Sequence, residues 1–286
     1  MKYSWLKEPY SQFEEAEKQG RRAHAYLIGG LEGVGKRHLV RAMSHSLLGL
    51  PPAQGWPEHP DFHRIEVPEK KTVISIDQVN ELISELTLTS HGGAVKVAVI
   101  DPASRLSTSG ANALLKTLEE PNGNTCLFLI ADHLRALPAT ILSRCQKVMI
   151  DVPEHAEAVA LVEAELGKRA VDKALVLADG APFRAISLLQ SGFVEKVESF
   201  EGGLKSLRAG TMTAPAVAAL WPAAEFPLVL DCLHGICERT IRCMLGFPTS
   251  DSDELRQMVP YKASVERLYQ FKDRVLALKR VPKGGV

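Results

Sequence analysis

The first half of the chain alternates short, uninterrupted apolar runs with longer stretches whose apolar residues recur at helical spacing. Ala25-Tyr26-Leu27-Ile28 reads as a buried strand that enters a glycine-rich turn and then a helix from about Lys36 to Leu48. Ser75 and Gln78 carry the spacing of a capping box, and behind them Val79, Leu82, Ile83 and Leu86 repeat one helical turn apart. Val95 to Ile100 is a second strand, ending at Asp101. Ala111 to Glu120 reads as a helix stopped by Pro121, which has no N–H to continue the ladder. Cys126 to Ala131 and Lys147 to Ile150 are further strands. Strands of this kind, interleaved with helices, point to a parallel sheet covered on both faces.

After Pro153 the pattern changes. Glu154 to Gly167, Ala170 to Asp179 and Pro182 to Gln190 read as three short helices divided by Gly167 and Gly180, with no strand-like run between them. Gly202-Gly203 and the Ala/Pro stretch Thr211 to Pro222 suggest a second boundary. Beyond it, Leu230, Leu233, Cys237, Ile241 and Met244 share one helical face, and Leu268, Val275 and Leu278 another. The expected organisation is therefore α/β plus all-α: a parallel-sheet domain over 1–152, a small three-helix domain over 153–200 and a C-terminal helical domain over 201–286.

Composition narrows the class. The 286 residues are 45% hydrophobic and 24% charged, in the range of a globular protein of two or three domains. Lys+Arg and Asp+Glu both number 34, so the net charge is zero and DNA held through the chain's own surface is disfavoured as the main partner. The basic tail from Lys272 to Lys283 reads as a solvated helix face. No apolar stretch is long enough to cross a bilayer, and the start lacks a signal-peptide core. The five cysteines, Cys126, Cys145, Cys232, Cys237 and Cys243, are odd in number and contain no CxxC pair, which fits reduced cytoplasmic thiols.

The turn after the first strand is Gly30-Leu31-Glu32-Gly33-Val34-Gly35-Lys36. Strand, glycine spacing, lysine and following helix together make a phosphate loop, although a plain glycine turn is the bland alternative. Backbone N–H groups released by the glycines close around phosphate oxygens, and the lysine reaches the outer phosphates. The motif wants Ser or Thr next, to ligate Mg²⁺. Here it is Arg37, which cannot bind a metal. Asp101 stands where a Walker B carboxylate belongs, or simply ends a strand. Its neighbours Pro102, Ala103 and Ser104 supply no second carboxylate to act as general base for water. Both departures point to a nucleotide fold whose chemistry is lost. Gly30, Gly33, Gly35, Lys36, Arg37 and Asp101 are thus a vestigial or weak nucleotide site, open to weak ATP or ADP binding, with Mg²⁺ not expected.

The segment Ala111-Asn112-Ala113-Leu114-Leu115-Lys116-Thr117-Leu118-Glu119-Glu120-Pro121, with Leu142-Ser143-Arg144-Cys145 about two dozen residues later, resembles bacterial DNA polymerase III clamp loader subunits of the AAA+ family. His24-Ala25-Tyr26-Leu27, His59-Pro60-Asp61 and Ile76-Asp77-Gln78-Val79 are typical of that family too, and Gly180-Ala181-Pro182 looks like its delta-prime branch. The resemblance covers roughly residues 1 to 195. It implies an AAA+ P-loop domain, a helical lid and a C-terminal collar domain. It also implies that Arg144 acts in trans, as an arginine finger on the ATP of a neighbouring subunit. The bland reading of Arg144 is a surface arginine in a salt bridge.

Relatives often carry a four-cysteine zinc module after the P-loop helix. Residues 50 to 63 contain no cysteine, and His59 and His63 read as loop residues, so neither zinc nor any other metal is expected. Active relatives bring a lid arginine to the nucleotide. Here Phe183 takes that place and Arg184 is displaced by one position, a rotation of about 100° on a helix. Asp132, after the Cys126–Ala131 strand, is a polar candidate for a first sensor or merely a turn residue. The implied partners are the gamma/tau ATPase subunits and delta. Through that complex the chain reaches the sliding clamp and primed DNA, with no membrane involved. The implied role is a subunit without turnover of its own inside a nucleotidyltransferase holoenzyme. The rivals are an active gamma/tau-like motor subunit, a small-molecule P-loop kinase and a purely structural adaptor.

Overall fold

The computed structural model describes residues 1–91, 95–121, 123–167, 170–221, 226–247 and 263–279, together with Asp253, Leu255, Met258 and Val259. It divides into two compact units. The first comprises Met1–Ala158 with Ala181–Arg184, and the second Val159–Gly180 with Ala185–Val286.

In the first unit, α1 (Lys7–Lys18), β1 (Ala25–Gly29), α2 (Lys36–Leu47), β2 (Phe62–Glu66), α3 (Ile76–Thr87), β3 (Lys96–Asp101), α4 (Thr108–Glu119), β4 (Thr125–Ala131), α5 (Ala139–Leu142) and β5 (Gln146–Met149) follow in order. The five strands form one parallel sheet in the order β2-β3-β4-β1-β5. Alternate strand residues face opposite sides, and each side has its own helix pair. Ala25, Leu27, Ala98, Ile100, Leu127 and Leu129 pack against Leu82 and Leu86 of α3 and Leu114 and Leu118 of α4. Tyr26, Ile28, Val97, Val99, Phe128 and Ile130 pack against Phe13 of α1 and Leu39, Val40 and Met43 of α2. The Tyr26 and Phe128 rings stack at 5.7 Å with Phe13 edge-on to Tyr26. This is why β1, β3 and β4 read as continuous apolar runs: every residue is buried.

Local signals act as expected. Ser75 caps α3 in a full capping box with Gln78. Ser107 caps α4 by accepting the Gly110 N–H, so that helix starts three residues before Ala111. The buried Asp61 carboxylate of His59-Pro60-Asp61 accepts the His91 backbone N–H at 3.0 and 3.1 Å, which ties the end of one connection to another. His24 holds the α4 terminus through its Nε2 and the Leu118 carbonyl, 2.8 Å apart.

Several sequence expectations need correction. The edge strand β2 carries no clear signal in the sequence, because Phe62-His63-Arg64-Ile65-Glu66 is neither a continuous apolar run nor a strict alternation and is at most half-buried. His63 lies on that strand, not in a loop. It stands apart from His59, whose Nδ1 accepts the Asp61 N–H.

In the second unit, α7 (Val171–Leu177), α9 (Phe193–Arg208), α10 (Ala214–Ala218), α11 (Phe226–Met244) and α12 (Val265–Lys279) supply the framework. The helices α6 (His155–Leu166) and α8 (Pro182–Gln190) run across the division of the chain into units. Val197, Phe200, Cys232, Ile236, Leu255 and Met258 form a core, and Phe200 meets Trp221 edge-on at 5.0 Å. The buried Glu201 carboxylate contacts Lys173 at 2.6 Å and Arg239 at 3.8 Å, joining three helices.

Gly202-Gly203 does not break the chain but lies inside α9, where Gly203 lets Val217 and Leu220 approach. The basic residues of α12 are not simply solvated, since Lys279 meets Asp231 at 2.5 Å and Lys272 lies 3.8 Å from Glu238. Met244 and Leu278, at the ends of their predicted faces, are exposed. Pro222 and Lys283 lie outside the described residues.

Candidate functional site

The strand order places three polar groups at one edge of the sheet. β3, β4 and β1 are adjacent and parallel, so Asp101, Asp132 and the loop Gly30–Lys36 all leave the C-terminal ends of neighbouring strands. In open α/β sheets this edge is where ligands bind. Gly33 and Gly35 adopt left-handed φ values of 82° and 104°, which side chains with a Cβ rarely take, and they curl the loop into the start of α2.

Lys36 opens α2 with its side chain 4% exposed. Its ammonium donates to the carbonyls of Gly30 at 2.8 Å and Leu31 at 2.5 Å, and it lies 2.6 Å from an Asp132 carboxylate oxygen. Asp132 is therefore more than a turn residue: it supplies the counter-charge of the loop lysine. Arg37, one step along α2, reaches across to Asp101. Its Nε stands 2.5 Å and its Nη2 3.2 Å from the two carboxylate oxygens, a side-on bidentate pair. The Asp101 side chain is 2% exposed, so this guanidinium covers it. The hydrogen bond to Asp101 pushes the Arg37 pKa up, against the opposing effect of burial. Asp101 is followed by Pro102 through a cis peptide, then by Ala103 and Ser104.

A second set of contacts closes over the loop. Ala181–Arg184 group with the sheet unit, and the Phe183 N–H donates to the Gly33 carbonyl at 3.0 Å. A Cβ placed on Gly33 would lie 2.4 Å from the Arg184 nitrogen, so the start of α8 rests directly on the loop backbone. The Phe183 ring stacks on His38 at 4.2 Å and 18° and meets Tyr3 edge-on at 5.0 Å. Trp5 donates its indole N–H to the Val34 carbonyl at 2.9 Å. Burial under these rings, with repulsion from Arg41, Lys2 and Arg37, pushes the His38 pKa down to about 4. The sequence marked Phe183 only as a replacement for an arginine; its role as cover shows in three dimensions alone.

Arg144 is elsewhere. It precedes β5, which runs parallel to β1, and so stands at the N-terminal edge of the sheet, away from the edge that carries Lys36 and Asp101. Its Nη1 donates to the Thr140 carbonyl at 3.0 Å and to Ser143 Oγ at 3.3 Å. Its Nη2 is 2.6 Å from Glu119 at the end of α4. The side chain remains 34% exposed. The next residue, Cys145, is buried, and burial pushes its thiol up to about 11, which keeps it protonated and unreactive. Of the seven residues singled out by sequence, six meet at one edge and Arg144 stands alone at the other. Among the described residues no three His, Cys, Asp or Glu side chains gather as a metal site. No helix among them is long and apolar enough to cross a membrane.

Comparison with known proteins agrees with this architecture. The family described as DNA polymerase III, delta subunit, matches residues 5–154. The chain is 30% identical over 280 residues to DNA polymerase III subunit delta' of Pseudomonas aeruginosa, covering 91% of this chain and 84% of that one. It is 32% identical over 204 residues to the subunit of the same name from Escherichia coli, covering 66% and 61%. A crystal structure of a DNA polymerase III gamma subunit-related protein from Thermotoga maritima superposes with a TM-score of 0.52 at 18% identity. It covers 97% of this chain and 99% of that one, a likeness of fold. Because the family match spans over half of the chain and the Pseudomonas relative most of both lengths, the chain belongs to the DNA polymerase III delta-prime family.

Proposed function

We propose that this protein is a clamp loader subunit that does not hydrolyse ATP itself and presents Arg144 to the ATP of a neighbouring ATPase subunit. The observation that carries the first half is the Arg37–Asp101 pair. The carboxylate that would hold Mg²⁺ is buried beneath a bidentate guanidinium of the same chain. Lys36, which would reach the outer phosphates, is neutralised by Asp132 and by loop carbonyls. Phe183 and the start of α8 lie on the loop backbone where phosphates would approach. As arranged, these residues do not fit a magnesium-bound nucleotide, and no catalytic step is assigned to them.

The second half rests on where Arg144 stands. A guanidinium at the far edge of the sheet from its own P-loop cannot serve that loop, yet it remains partly open to solvent. Phosphoryl transfer spreads negative charge over the γ-phosphate oxygens, and an inserted arginine stabilises that charge. The partners of this reading are gamma/tau-type ATPase subunits and delta. The sliding clamp and primed DNA are met through the complex, in the cytoplasm.

The test is steady-state ATP hydrolysis by the isolated chain beside Lys36→Ala, and by the reconstituted clamp loader beside Arg144→Ala. The expected result is no turnover above the Lys36→Ala background, and a loss of partner turnover with Arg144→Ala. Turnover by the isolated chain that disappears with Lys36→Ala would instead make it a motor subunit. Partner turnover unchanged by Arg144→Ala would leave only a structural adaptor.

A further inference from the structure

We infer that Glu119 is a positioning residue for Arg144, setting the angle at which the guanidinium meets the neighbouring subunit's phosphate. This rests on the reading of Arg144 given above.

The guanidinium is fixed from two sides. α5 and its C-cap hold Nη1 through the Thr140 carbonyl and Ser143 Oγ, and α4 holds Nη2 through the Glu119 carboxylate. The first side is local, from the helix and cap residue just ahead of Arg144. The second comes from another helix, so it ties the guanidinium to α4 as well as to α5. An arginine side chain with several free torsions gives up much rotamer entropy when it meets a ligand. One that is already held gives up less. Nε, beside the Nη2 that Glu119 grips, has no acceptor among the described residues, so the guanidinium keeps donor capacity for an incoming oxygen.

The place of Glu119 in its own helix supports the assignment. It is the last residue of α4, where the macrodipole is negative and a carboxylate is unfavourable. Its side chain is 51% exposed, so packing does not explain it either. The contact that accounts for a carboxylate at this position is Arg144. Glu120, next along, is the exposed C-cap residue.

The experiment is a double-mutant cycle in the complete reconstituted clamp loader, reading kcat and KM for ATP with Glu119→Gln, Arg144→Ala and the pair. Glu119→Gln keeps the shape and removes the charge at an exposed site, and gel filtration of the complex checks assembly. The expected result is that Glu119→Gln lowers the Arg144-dependent part of kcat about tenfold, with KM within about twofold. In the Arg144→Ala background it should change nothing further, because a positioning residue has nothing left to position. A merely structural role would give the same Glu119→Gln effect in both backgrounds, and that additivity would overturn the inference. So would an unchanged or raised kcat in Glu119→Gln while Arg144→Ala still lowers it; the finger reading would then stand without Glu119. If Arg144→Ala itself has no effect, the finger reading fails and this inference fails with it.

Discussion

The two edges of the sheet spend their charge in opposite ways. At the C-terminal edge, Lys36 and Arg37 are each matched to an aspartate of the same chain, the Asp101 side chain is 2% exposed, and an aromatic cover lies over the loop. At the N-terminal edge, Arg144 and Glu119 form a pair that water reaches, 34% and 51% exposed. In each pair of the first edge one member is buried, Lys36 at 4% and Asp101 at 2%, and removing its partner strands that member in low dielectric. An exposed pair contributes little to stability and leaves the guanidinium within reach of another molecule. The first edge is therefore suited to holding the fold and the second to meeting another molecule.

The sharpest way to break this comparison is at Arg144. On the proposed finger role, replacing it by alanine should lower partner turnover by about a thousandfold or more, the scale of an arginine finger. Single-turnover hydrolysis by the reconstituted complex measures this. A loss below about threefold would put the function of the N-terminal edge in question.

Next in size is Arg37. Changing it to threonine restores the residue type that a magnesium-binding loop uses, but leaves the Asp101 carboxylate buried without its partner. Arg37 is itself 60% exposed, so the attraction lost is partly screened. The expected loss is about 2 kcal/mol in urea unfolding. In the same variant Mg²⁺ should bind measurably with ATP in calorimetry where the parent shows none. Unchanged stability would mean that the first edge does not hold the fold through this pair.

A smaller effect follows from His38. Its folded pKa is about 4, below the ordinary value of 6.5, chiefly because burial opposes charging it. Below pH 6.5 the unfolded chain takes up the proton and the folded chain does not. The His38 contribution to stability is thus present above about pH 6.5 and is lost as pH falls toward 4. Solvent screening limits it to about 1 kcal/mol. Urea midpoints at pH 7.5 and 5.0 should differ more in the parent than in His38→Gln. The smallest expected effect sharpens the contrast: Arg144→Ala should change unfolding free energy by less than about 0.5 kcal/mol, because both partners can turn to water. A large destabilisation there would assign the N-terminal edge a structural role.

Much of this is legible in the order of residues along the chain. The apolar runs of β1, β3 and β4 mark strands buried on both faces, and the Ser75 capping box fixes the start of α3. The P-loop spacing, Arg37, Pro102 and the Ser143-Arg144-Cys145 turn were all visible as types in order along the chain. What stayed hidden depends on the partner across space. β2 is a half-buried edge strand, so it carries no continuous apolar run to read. Along the chain Asp132 reads equally as a first-sensor candidate or a turn residue, because its lysine is 96 positions earlier and meets it only through the β1–β4 pairing.

The family, the parallel sheet and the set of residues that could carry chemistry are written along the chain, since they are local patterns of polarity, glycine and charge. Which charge meets which depends on the folded chain. Arg37 reaches Asp101 across 64 residues, Phe183 covers a loop some 150 positions upstream, and Glu119 grips Arg144 from another helix. Pairing of this kind follows from strand order and helix packing, which bring residues together regardless of their distance along the chain.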